Sequence, residues 1–144
     1  MKVLRSIVID APVETVWAVV RHFDSVKNWH PAVAICHMED GRSRTEVGGV
    51  RHVALTDGGI FRETLLALDD RQRAIVYNIV ESPLPVWNFI AELSLRPITD
   101  DGTTLATWTA EFETDPENLT KMEDAVGERI VMTGLHGLRQ HFPA

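Results

Sequence analysis

Apolar and polar positions alternate through "KVLRSIVID", which predicts a short β-strand. The alternation stops at Pro12. Val13, Val16, Trp17 and Val20 then recur at steps of three and four, predicting a helix that the proline opens. Six further strand-like runs follow: "AVAICHME", "GVRHVAL", "IFRETLLAL", "RAIVYNIV", "WNFIAELSL" and "TLATWTAEF". Turn signals at Asp40-Gly41, Asp57-Gly58-Gly59, Asp69-Asp70 and Asp101-Gly102 separate them, so an antiparallel meander is expected. From Pro116 to about His141 the period changes again. Leu119, Met122, Val126, Ile130 and Thr133 predict one amphipathic helix, roughly 38 Å long at 1.5 Å per residue.

This order gives an α+β class: a curved seven-stranded antiparallel sheet gripping a long C-terminal helix, with two short helices between the first two strands. The 144 residues, 44% of them hydrophobic, suffice for one domain with a real core, taken as 1–144. Gly134 and Gly137 lie on or beside the inner stripe of the last helix. Glycine costs about 1 kcal/mol against alanine there, so it either leaves room for a cavity or allows close packing on the sheet.

Charge and motifs narrow the chemistry. With 14 Lys and Arg against 21 Asp and Glu, the net charge of -7 argues against nucleic acid as a partner. Cys36 is the lone cysteine, which excludes an internal disulfide and fits a reducing, cytoplasmic setting. Asp10 and Glu14 interrupt the first apolar runs, so no stable membrane insertion is expected and the mature chain is expected to begin near Met1. The six histidines show no zinc-helix spacing, and there is neither a glycine-rich phosphate loop nor a G-x-S-x-G elbow. No metal and no cofactor are expected.

Trp29-His30-Pro31 forms a corner between helix and strand, because proline holds the residue before it in extended geometry. His30 is expected to begin the second strand facing inward, with Trp29 closing the corner against the core. Its imidazole would serve as a polar, pH-sensitive group, or simply hydrogen-bond a backbone carbonyl. Counting six residues from each side of Asp57 pairs Arg51 with Glu63 across a hairpin, which predicts an inward ion pair. The same parity sends Val53, Leu55, Phe61 and Leu65 inward. Ile75, Tyr77 and Ile79 share one parity on the next strand. Trp87, Phe89, Ala91, Leu93 and Leu95 share another. Residues of this kind build a core or a pocket wall, and a buried Tyr77 hydroxyl would need a partner. In the last strand Trp108, Ala110 and Phe112 form the apolar set, against Thr109 and Glu111.

The pieces "VWAVVRHFD", "NWHP", "GGVRHVAL", "RETLLALDD", "YNIVESPLPVWNF" and "WTAEFE" before "DPEN" resemble the SRPBCC superfamily over nearly the whole chain. That superfamily includes START lipid carriers, birch-pollen-allergen relatives, bacterial polyketide cyclase/dehydrase-like proteins and plant abscisic-acid receptors. The resemblance implies an elongated cavity between sheet and helix, open near the loops at Asp57 to Gly59 and Ser82 to Val86. Beside the plant receptors, His30 stands where a lysine holds the ligand's carboxylate. Glu63 matches a cavity glutamate, and Phe89 replaces a cavity tyrosine. The receptors' gate and latch are not reproduced, since "TDGG" and "SPLP" stand there, and hormone reception is not carried over.

The expected function is binding of a small hydrophobic or amphipathic molecule of lipid, polyketide or aromatic type, by a monomer or homodimer. Its lining would draw on His30, Arg51, Val53, Leu55, Phe61, Glu63, Tyr77, Ile79, Trp87 and Phe89, with Met122, Val126, Ile130 and Thr133 from the helix. Two alternatives stand beside it. One is a polyketide cyclase/aromatase-like enzyme with acid–base residues among His30, Glu63 and Tyr77. The other is a cochaperone-like interaction domain with a filled interior.

Overall fold

The chain leaves β1 (Lys2–Ile9) through Pro12, whose extended backbone (φ -62°, ψ 146°) starts α1 (Val13–Val20). The computed structural model describes residues 1–144. The apolar face of α1, Val13, Val16, Trp17 and Val20, is buried as its spacing requires. A 3₁₀ turn (Phe23–Ser25) and the single-turn α2 (Val26–Trp29) complete the link to β2 (Val33–Met38). The second strand thus starts three residues later than expected. His30 ends α2 in extended geometry (φ -86°, ψ 115°).

The remaining strands are β3 (Val50–Leu55), β4 (Ile60–Asp69), β5 (Ala74–Glu81), β6 (Trp87–Ile98) and β7 (Thr103–Glu113). Together they form one seven-stranded antiparallel sheet in the order β1-β7-β6-β5-β4-β3-β2. Register shifts interrupt β2, β4 and the start of β6. Such bulges bend the strands, and here they accompany a sheet curved around the C-terminal helix.

The shift at the start of β6 corrects the parity drawn from sequence. Asn88 adopts a left-handed backbone (φ 50°), and the pairing jumps between Trp87 and Ile90. Phe89, Ala91, Leu93 and Leu95 face the core, whereas Trp87 is turned outward and 47% exposed. In β7 the apolar set wins: Trp108, Ala110 and Phe112 are buried, while Glu111 lies on the outer face beside Lys2.

The C-terminal helix is not uniformly α-helical. A 3₁₀ turn (Pro116–Asn118) leads into α3 (Leu119–Asp124), a π-helical stretch (Ala125–Met132) and α4 (Thr133–Gln140). Wider π turns rotate the side chains relative to an α-helical stripe. Burial accordingly passes from Met122 and Val126 to Val131, Leu135 and Leu138. Ile130 moves to the flank, and the Thr133 hydroxyl donates to the Glu128 carbonyl at 3.0 Å instead of pointing inward. No helix is long and apolar enough to cross a membrane.

Gly134 and Gly137 are sites of close approach, not of empty space. A Cβ on Gly134 would lie 2.6 Å from His30 Cδ2 and 2.7 Å from Trp108 Cζ3. One on Gly137 would lie 2.1 Å from the Trp29 carbonyl oxygen. The helix seats its C-terminal half on the Trp29-His30 corner through these glycines, and the space left between sheet and helix lies toward the π stretch.

Candidate functional site

That space is a cavity of about 300 Å³ between the concave face of the sheet, the corner after α2 and the π-helical stretch. Its walls are mainly apolar: Val53 and Leu55 from β3, Phe61 from β4, Ile79 from β5 and Phe89 from β6. Ala125, Arg129 and Ile130 close it from the helix. Asp57 of the β3–β4 turn and Pro83 and Leu84 of the β5–β6 loop stand at its rim.

Polar groups gather on β3, β4 and β5. Arg51 lies directly opposite Glu63 in the β3–β4 register, the pairing that the symmetric count about Asp57 predicts. Arg51 Nε donates to Glu63 Oε1 at 2.8 Å, and its Nη1 donates to the Phe23 carbonyl at 2.8 Å. The guanidinium lies over the Phe23 ring at 4.0 Å and the Tyr77 ring at 4.7 Å, an arrangement in which ring faces stabilise a buried cation. Burial alone would pull its pKa down, yet the Glu63 carboxylate keeps it above the ordinary arginine value.

Tyr77 OH accepts from Trp108 Nε1 at 3.1 Å and has no acceptor for its own proton in the protein. Burial first, then the nearby Glu63 charge, push its pKa up, so it stands as a neutral phenol facing the cavity. The second carboxylate oxygen of Glu63 has no protein partner either. Because no buried side-chain polar atom is left orphaned and Glu63 lines the cavity, that oxygen reaches the open space.

His30 occupies the wall, with both ring nitrogens committed. Nε2 donates to the Ile130 carbonyl at 2.8 Å, and Nδ1 accepts the Ala32 N–H at 3.2 Å. Those partners define the neutral Nε2–H tautomer. Burial lowers the pKa and Arg51 lowers it further, against the opposing pull of the Ile130 carbonyl. Of the two roles expected for the ring, the structure has the second: the imidazole bonds a backbone carbonyl, and neither nitrogen is left free for a ligand. Its ring meets Trp108 edge-on, 6.4 Å between centroids at 87°.

The structure brings together at the cavity His30, Arg51, Val53, Leu55, Phe61, Glu63, Tyr77, Ile79, Phe89 and Ile130. It leaves out four residues that the sequence pattern includes. Trp87 is turned out by the bulge, Met122 and Val126 are buried in the solid core, and Thr133 bonds back to its own helix. Reading the sequence missed Trp108 and Arg129 as wall residues. Trp108 is signalled by the apolar parity of its strand, whereas the charge of Arg129 hides its place on the helical stripe three residues after Val126. No group of three or more His, Cys, Asp or Glu is placed to hold a metal ion.

The family model for polyketide cyclase/dehydrase and lipid transport proteins matches residues 1–143. The chain is 34% identical to the abscisic acid receptor PYL10 of Arabidopsis thaliana over 135 residues, 90% of this chain and 73% of the receptor. It superposes on a protein of Nitrosospira multiformis with a TM-score of 0.85 at 31% identity, covering 100% of this chain and 97% of the other. The ginseng major latex-like protein 151 of Panax ginseng shares the fold at 16% identity, with a TM-score of 0.76 over 100% of this chain and 98% of the other. The chain therefore belongs to the polyketide cyclase/dehydrase and lipid transport family of the SRPBCC superfamily.

Proposed function

We propose that the chain binds a small, largely apolar molecule in this cavity, its polar end lodged against Arg51, Glu63 and Tyr77. The supporting observation is the division of the walls: aliphatic and aromatic side chains on most sides, with hydrogen-bonding groups gathered on three neighbouring strands. Apolar burial would supply affinity and the polar cluster orientation. A volume of about 300 Å³ suits a compact aromatic or short polyketide-like molecule better than a two-chain lipid. The open interior counts against a cochaperone-like interaction domain. The binding form would be a cytoplasmic monomer or homodimer.

Native mass spectrometry of the protein isolated from its own cells tests this reading. A retained adduct of small-molecule mass, lost on denaturation, is expected. A protein that carries none and takes up none from a lipid and aromatic extract would contradict it.

Acid–base turnover is the second reading, carried by the Tyr77 hydroxyl whose proton has no acceptor in the protein. It would appear as saturable conversion of the bound molecule with a bell-shaped pH dependence, abolished in Tyr77→Phe.

A further inference from the structure

Taking the cavity as the ligand site, we infer that the ligand's polar end is electrically neutral and carries both a hydrogen-bond donor and an acceptor, as a primary amide or a hydroxy-ketone does, instead of a carboxylate. The interior charge is already balanced. Arg51 and Glu63 pair at 2.8 Å, and both are more than nine-tenths buried, at 5% and 8% exposure. A ligand carboxylate would set a second negative charge beside Glu63, with one guanidinium between them. Carboxylates that share a buried site disfavour each other's ionisation.

No other cation of the wall offsets that repulsion. His30 is held neutral by the Ala32 N–H on Nδ1 and the Ile130 carbonyl on Nε2. Arg129 belongs to the rim, where its side chain is 79% exposed and lies 3.5 Å from Asp124. Asp57, the remaining charged rim residue, is itself negative. Nor does Arg51 offer a free fork. Its Nε is on Glu63 and its Nη1 on the Phe23 carbonyl, which leaves Nη2 alone to face the cavity, a single donor group without the open edge by which arginine grips a carboxylate with two bonds.

What the cavity does offer is a complementary set. The Tyr77 hydroxyl has a proton to donate, and the second oxygen of Glu63 has lone pairs to accept with. A neutral group bearing one acceptor and one donor satisfies both, and leaves the Arg51–Glu63 pair intact.

The test is a calorimetric titration at pH 7 with 2-naphthamide and 2-naphthoate, which share ring and shape and differ in charge. The amide is expected to bind at least about tenfold more tightly. Equal or tighter binding of the naphthoate would overturn the inference while leaving the cavity a ligand site. Binding of neither would remove the ligand-site reading and the inference with it. Glu63→Gln leaves Arg51 without its counter-charge, and should shift the preference toward naphthoate by about tenfold or more. Should that variant fail to fold, Tyr77→Phe keeps the ring and removes the donor. It should weaken binding of the amide at least about threefold, and unchanged affinity for the amide would count against the inference.

Discussion

His30 Nε2 donates to the Ile130 carbonyl at 2.8 Å, which ties the corner after α2 to the π-helical stretch and fixes one wall of the cavity. Gly134 makes the contact possible, since any side chain there would meet the ring. The sign of the pH effect follows from burial, which holds the folded pKa below the unfolded value of about 6.5. The neutral ring favours the folded state, so its contribution is full above pH ~6.5 and declines as pH falls from there toward the lower folded pKa. His30→Leu should lower stability by about 1–3 kcal/mol at pH 7.5. Urea melts of both proteins should show the gap narrowing below pH ~6.5, and a gap constant down to pH 5 would refute the account.

The glycines of the last helix should divide by their neighbours. Gly137→Ala drives a Cβ into the rigid Trp29 carbonyl and should destabilise by several kcal/mol, despite a helix-propensity gain of about 1 kcal/mol. Gly127→Ala meets the end of the Arg5 side chain, which can swing away, and the buried Val3 Cγ1 at 3.2 Å, which must give by a few tenths of an ångström, so it should cost much less than Gly137→Ala. Thermal denaturation of the two variants side by side makes the comparison.

The sheet was legible because period-two alternation and Asp-Gly turns survive in the sequence, and the Arg51–Glu63 register followed from counting outward from one turn. Trp87 escapes the pattern because a bulge at Asn88 reverses parity without a glycine or proline at that position to announce it. Thr133 was misplaced for a related reason: steps of three and four presume 3.6 residues per turn, and the π stretch breaks that period midway. For His30 the position was readable, but the partners of its two nitrogens come from Ala32 and from a carbonyl a hundred residues away. Nothing local encodes that contact.

Glu63→Ala leaves Arg51 buried without its counter-charge, and should destabilise the fold by roughly 3–5 kcal/mol. Chemical denaturation at neutral pH measures it. A loss under about 1 kcal/mol would mean that the pair is solvated in solution.

Cys36 is buried, and burial pushes its thiol pKa up to about 11. Iodoacetamide at pH 8 should leave the native protein unmodified over the time in which it alkylates the urea-unfolded chain completely. Equal rates would mean that β2 opens readily at the sheet edge.

A small molecule held between the sheet and the π-helical stretch would be located by methyl-labelled NMR. On titration with 2-naphthamide, the methyls of Val53, Leu55, Ile79 and Ile130 should shift together and saturate at one equivalent. Those of Leu4, Val8 and Leu66, exposed on the outer face, should stay in place. Shifts confined to the outer face, or none in the cavity at saturating probe, would contradict the account.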